Sequence, residues 1–370
     1  MNRLSATLWV ILAIVGIDAG ACGVLPTRLQ TATPSPMLMP TVSLPSTAPS
    51  VATHSTLTPT PVPTPMPANL VWFAPNMGST DYADLFTMPQ NWSVARAKIN
   101  VFKFYTQNLL DDPCDICGKN TLQTFIRADA FRKLNEWNLA TAIEVGAVKE
   151  WGCTGEQEFR VADTVIRNVQ LNGGTVGLLA MDEPLIGGQQ VTSGHTCGLD
   201  PEQIANATEY FINHIQARYP GMVIGDIEPY PYYSVSELEQ WITTLKTHGV
   251  TIAFFHLDVD LERVRVEKHD VSADLRTLST FCKQRGIPFG VIFTSNWQAA
   301  GSNHAYYDST MQWIHTVNDA IGAPQHMIFQ SWQGPAPSGA HEIPINLPQN
   351  DPENYSHVRI INDGLTVFGR

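Results

Sequence analysis

From Leu70 onward the chain alternates short apolar runs with longer amphipathic stretches. The runs are Leu70–Ala74, Ile99–Tyr105, Ala140–Val145, Val176–Met181, Met222–Ile227, Thr251–Leu257, Phe289–Phe293 and Met327–Trp332. Their length and composition predict strands buried on both faces. Between them, Phe125–Trp137, Glu156–Leu171, Pro201–Arg218, Ser236–His248, Ser272–Arg285 and Ala305–Ile321 place apolar residues at helical spacing. Strands that alternate with helices of this length predict a parallel sheet with helical crossovers. Eight such units in about 300 residues predict an α/β fold of the (β/α)8 (TIM) barrel type, rather than an open doubly wound sheet. Glycines in Asn172-Gly173-Gly174, His248-Gly249 and Arg285-Gly286 stand where helices should stop, and Ser234 with Glu237 offers a capping box. The tail from Gly334 is rich in Pro and Asn and is expected to wrap the barrel surface.

The pattern is absent before Asn69. Residues 23–68 hold eleven of the 26 prolines, many Thr and Ser, and no Asp, Glu or Lys. Such a segment buries too little apolar surface to offset its ordering entropy, so it is expected to be a disordered, extended tether. Residues 1–22 read as an export signal: Arg3, an apolar run from Ala6 to Ile17, then Ala19-Gly20-Ala21 before Cys22. The run is short for a membrane span. This segment resembles a bacterial lipoprotein signal, with Ala19 where that pattern has Leu. The resemblance implies lipidation at Cys22 and a membrane contact made only through that anchor. The expected organisation is signal 1–22, tether 23–68 and one barrel domain 69–370.

Charge narrows the partners. Residues 69–370 hold 20 basic and 33 acidic residues, a net charge of −13. That balance argues against nucleic acid or an anionic membrane surface, both of which reward basic patches. A neutral or weakly charged ligand fits it, and a monomer is expected. No Gly-x-Gly-x-x-Gly follows the first strand, no His-x-His occupies it, and no His-Glu-x-x-His occurs. Neither a cofactor nor a metal is expected.

In such a barrel, chemistry sits at the C-terminal strand ends. Strand four ends Asp182-Glu183-Pro184. Strand five ends Asp226-Ile227-Glu228-Pro229-Tyr230, and strand six His256-Leu257-Asp258-Val259-Asp260. Strand seven is followed by Asn296 and Trp297, strand eight by Gln330 and Trp332. Strand two adds Lys103 and Tyr105, and strand three Glu144. Carboxylates at neighbouring strand ends are expensive to bury without partners. Together with aromatics and amides in one concave mouth they suggest a carbohydrate site. Asp182, Tyr230, His256, Asn296, Trp297, Gln330, Trp332, Lys103 and Tyr105 are the expected substrate contacts.

The chain here resembles the (β/α)8 glycoside hydrolases over about residues 69 to 334. Many retaining members carry Asn-Glu-Pro at the end of strand four, matched by Asp182-Glu183-Pro184. The resemblance implies that Glu183 is the general acid. Those members place a nucleophilic Glu after strand seven, where this chain has Thr294-Ser295-Asn296. The second carboxylate is therefore sought elsewhere: Glu228 first, then Asp258, then Asp182. Glu228 has a structural alternative as the partner of Lys103 or an arginine, and His256 with Asp258 has one as a hydrogen-bonded pair. A pair about 5 Å apart would retain anomeric configuration, and one roughly 6.5–9.5 Å apart would invert it. Two further readings stay open: a non-catalytic carbohydrate-binding barrel, and a surface structural or adhesion domain.

Six cysteines in an exported chain favour disulfides over zinc. Cys114 and Cys117 are a local candidate pair. Cys153 and Cys197, in loops on the same barrel face, are a second. Cys282 is expected to be a buried thiol.

Overall fold

The computed structural model describes residue 67 and residues 69–370, apart from 112–113, 115–116, 150–151, 193–194, 296–300 and 333–342. Eight parallel strands close into a barrel: β1 (Leu70–Ala74), β2 (Val101–Tyr105), β3 (Ala140–Val145), β4 (Leu178–Asp182), β5 (Val223–Tyr230), β6 (Phe255–Val259), β7 (Phe289–Phe293) and β8 (His326–Gln330). Closure comes from β8 pairing with β1, Leu70 opposite His326 through Ala74 opposite Gln330. The expected fold is the observed one.

Alternate side chains divide between two apolar regions, as strand geometry requires. Trp72, Val101, Ala142, Leu178, Ala180, Ile227, Phe254, Ile292 and Ile328 fill the barrel interior. The intervening residues join the larger core between strands and helices. The interior also holds two histidines. His256 Nε2 lies 2.9 Å from His326 Nδ1, and Trp72 meets the His256 ring edge-on at 5.0 Å. Burial keeps both imidazoles neutral, lowering His256 well below its usual value and His326 to about 4. Gly290 leaves the room: a Cβ there would stand 2.5 Å from His256 Cδ2. The expectation that His256 contacts substrate is therefore corrected. It lies a layer too deep on β6 and packs the core.

The principal helices are α1 (Gly155–Leu171), α2 (Pro184–Gln189), α3 (Pro201–Arg218), α4 (Val235–Thr247), α5 (Val271–Gln284), α6 (Asn303–Ile321) and α7 (His357–Val367). The expected capping box opens α4: Ser234 takes the Glu237 N–H, and the Glu237 carboxylate takes the Ser234 N–H at 2.8 Å. Asp200 and Gln203 do the same for α3.

Two segments depart from expectation. The stretch read as one helix from Phe125 is two, Leu122–Arg127 and Ala130–Glu136, broken where Asp129 turns to φ 57°. The tail does not merely wrap the surface. It ends in α7, which buries Val358, Ile360, Ile361 and Leu365 and supplies the helix after β8. The Asp81 carboxylate ties the chain before α7 to the region after β1, accepting from the N–H groups of Asn346 at 3.0 Å and Leu347 at 2.7 Å.

Ser234→Ala removes one half of the α4 box and should cost about 1 kcal/mol, read as a lower urea midpoint at unchanged slope.

Candidate functional site

The C-terminal strand ends form a hollow of about 240 Å³. Tyr105, Asp182 and Gln330 are the last residues of β2, β4 and β8, and Glu144 and Asp258 the penultimate ones of β3 and β6. Each keeps the inward parity of its strand. Lys103, fully buried, forms the floor beneath them. Its ammonium is ion-paired with Glu144 and hydrogen-bonded to the Gln330 amide oxygen, while Gln330 Nε2 donates to Glu144 Oε2 at 2.9 Å. The Tyr105 hydroxyl donates to the Ser331 carbonyl. Met77, Gln107 and the more exposed Trp332 complete the lining, with Lys149 and Glu183.

That lining carries the most unusual backbone. Glu183 adopts φ 53°, ψ 53°, a left-handed conformation that costs a glutamate on the order of 1 kcal/mol. Four features hold it there. Its N–H donates to the Ile227 carbonyl at 3.0 Å, and its carbonyl takes the Gly187 N–H at 2.9 Å. Pro184 occupies the first turn of α2. The Leu185 N–H donates to Glu228 Oε1 at 2.8 Å.

Charge at the site is unevenly matched. Lys149 Nζ lies 3.2 Å from Asp182 Oδ2 and 3.4 Å from Glu183 Oε2. Burial pushes the Glu183 carboxyl up to about 7. The Lys149 ammonium pulls it down, and the Asp182 and Glu144 carboxylates push it up. Burial likewise raises Asp258 well above the carboxylate range, reinforced by Glu183 and Glu144. The Asp258 side chain makes no hydrogen bond or ion pair with any described residue, and it faces the hollow. Burial also raises Glu144, against the opposing pull of Lys103.

The structure thus brings together Asp182, Glu183, Asp258, Tyr105, Gln330 and Trp332, over Lys103. It does not bring Glu228 or Tyr230 to them. On β5 the inward position belongs to Ile227, so Asp226 and Glu228 on either side point to the helical shell. Both are fully buried there. Asp226 Oδ2 accepts from Trp241 Nε1 at 2.9 Å. Glu228 braces the turn at Leu185, so the expectation of a second working carboxylate at this position is corrected. Tyr230 shares the outward parity and donates its hydroxyl to Asp274, which removes it from the expected substrate contacts. Asn296, Trp297 and Cys22 lie outside the described residues. Lys149, Gln107 and Met77 were not legible as site residues, because Lys149 and Met77 lie in loops and Gln107 in a single helical turn, Thr106–Leu109, too short to carry a periodic signal.

Both expected disulfides are present, Cys114–Cys117 and Cys153–Cys197, and Cys282 is a buried thiol. Among the described residues no group of three or more His, Cys, Asp or Glu side chains could hold a metal ion.

No protein-family model and no curated protein matches the chain. Solved structures match its fold. One is a structure of fungal beta-1,4-galactanases, with a TM-score of 0.50 and 12% identity, covering 80% of this chain and 99% of that one. Another is a variant of GH5_18 from Streptomyces cattleya in complex with Manβ1-4GlcNAc, with a TM-score of 0.50 and 10% identity, covering 82% of this chain and 80% of that one. At this identity the likeness establishes the barrel alone.

Burial raises the folded-state pKa of Glu228 well above its usual value, chiefly by desolvation and then by Asp226. Stability from this group is complete below the unfolded value and is lost as pH rises through the folded one. Glu228→Gln keeps an acceptor for Leu185 and removes the charge. Its melting temperature should exceed that of the wild type at pH 8 and equal it at pH 4, measured by scanning calorimetry.

Proposed function

We propose that this protein is a glycoside hydrolase in which Glu183 and Asp258 are the working carboxyl groups. The observation that carries the reading is their convergence: both line one hollow at the strand ends, with Tyr105 and Trp332 beside them. Glycosidic cleavage needs one carboxyl to protonate the leaving oxygen and one carboxylate to attack or to activate water. Glu183 is the general acid, since a group titrating near 7 can give up and regain a proton near neutral pH. Asp258 is the second group. Burial and the neighbouring carboxylates disfavour its anion, and the positive charge that develops on the sugar in the transition state offsets that penalty. The Glu183 carboxylate raises the Asp258 carboxyl further, so the two do not titrate independently. Asp182, ion-paired with Lys149, shapes the wall. Gln107, Gln330 and the aromatic rings suit sugar hydroxyls and sugar faces respectively.

Two disulfides support an extracellular setting for the barrel. With the Pro-rich segment 23–68 and the signal at 1–22, they fit a domain exported on a tether, with Cys22 as the candidate lipid attachment site. A second reading, a carbohydrate-binding barrel without turnover, is favoured by Thr294 and Ser295, which follow β7 where retaining relatives place a carboxylate.

Glu183→Gln should lower kcat/KM on a glycan substrate by roughly 10² to 10⁴. An aryl glycoside with a good leaving group should recover much of that loss in Glu183→Gln and none of it in Asp258→Asn. The opposite pattern would exchange the two roles. Sugar binding by calorimetry with no hydrolysis in any form, wild type included, would establish the binding module instead.

A further inference from the structure

The loop after β3 is built more firmly than an ordinary surface loop. Lys149 and Gly152 exchange backbone hydrogen bonds, the Lys149 N–H donating at 3.2 Å and the Gly152 N–H at 2.9 Å. The next residue, Cys153, is bonded to Cys197, 44 positions along in the segment before α3. Cys197 Sγ lies 3.1 Å from the Lys149 carbonyl oxygen. On the other side α2 comes unusually close. A Cβ at Gly187 would stand 2.7 Å from the Val148 carbonyl oxygen and 2.8 Å from Lys149 Cδ, so glycine is what permits the approach. The Lys149 side chain, only 8% exposed, is directed from this frame toward Asp182 and Glu183.

We propose that the Cys153–Cys197 disulfide braces the candidate site by holding Lys149 against Asp182 and Glu183, and that Lys149 is the positioning residue for the Glu183 carboxyl. The significance of this for turnover rests on the reading of Glu183 as the acid; the placement itself can be tested without turnover. Among the described residues, Lys149, the adjacent Asp182 and Glu144 from β3 act on Glu183, and Glu183 in turn acts on Asp258 from β6, Asp226 and Glu228 from β5, and the Tyr233 phenol. Lys149 is the cation of this set. An opposite charge at such a distance moves a carboxyl by about one to three pH units. Without it, burial and the neighbouring acids would keep Glu183 protonated well past neutrality. A flexible lysine at an unbraced loop tip would spend little time in one place, because ordering a long side chain carries a large entropic cost. The cross-link and the Gly187 contact reduce that freedom in advance.

The test is a carbon NMR titration of protein labelled at the glutamate carboxyl, with the Glu183 signal assigned from its absence in Glu183→Gln. Lys149→Met should move the Glu183 midpoint upward by about 1 pH unit or more, and Lys149→Arg should leave it near the wild-type position. Cys153→Ser/Cys197→Ser, which keeps Lys149, should move it upward while circular dichroism shows an intact barrel. An unmoved midpoint in Lys149→Met overturns the positioning role, and an unmoved midpoint in the double-serine variant overturns the brace. Should Lys149→Met fail to fold, the double-serine and arginine variants decide. Rates are read separately on an aryl glycoside. Displaced titrations without turnover in any form support the brace and defeat the hydrolase reading, so the two fail independently.

Discussion

Four carboxyl groups share two ammonium groups in a space with little access to water. Glu144, Asp182, Glu183 and Asp258 converge on the barrel mouth, and Lys103 and Lys149 face them. Desolvation disfavours every unpaired anion in such a place, and the two lysines decide which carboxyls find relief. Lys103 is committed to Glu144 and Gln330 in the floor. Lys149 is divided between Asp182 and Glu183. Asp258 touches neither. The site therefore contains carboxyls in three distinct electrical settings within one hollow, a condition under which proton donor and proton acceptor can differ though both are acids of the same kind.

The scaffold creates this imbalance through strand parity. A residue at the end of a parallel strand faces either the barrel axis or the helices, and its immediate neighbour takes the other direction. Glu183, just past the end of β4, escapes the rule by means of a left-handed turn. That turn aims its side chain into the hollow from a backbone position that would otherwise serve α2. Two of the hydrogen bonds that hold the turn run to β5, at the Ile227 carbonyl and the Glu228 carboxyl, so one strand supports the side chain presented by its neighbour.

Much of the architecture was legible along the chain because its period is global. Eight apolar runs, helix-stop glycines and a capping box each carried their own physical signal, and they agreed. The strand-end residues Asp182, Glu183 and Asp258 were legible for the same reason. Glu228 was not, because its direction depends on whether Ile227 or its neighbours face the axis. An apolar run buried on both faces carries no alternation from which to read that choice. His256 failed by depth rather than direction: one layer separates a lining residue from a core one. Lys149 lies outside any periodic element, and its role arises from a cross-link, a close helix and two carboxylates that are distant in sequence. Helix α7 was obscured by the Pro- and Asn-rich stretch before it, although Val358, Ile360, Ile361 and Leu365 carry a helical apolar face.

The carboxylate of Glu228 joins the inner and outer layers of the molecule. It projects from a barrel strand into the helical shell, yet the amide it receives belongs to the turn that presents Glu183. Asp226, two residues earlier, is fastened in the same shell to the indole of Trp241 on α4. The helical shell and the barrel mouth are thus linked across a single strand. Variation among the packing residues of α2 and α4, none of which lines the hollow, becomes a route for tuning how the Glu183 side chain is aimed.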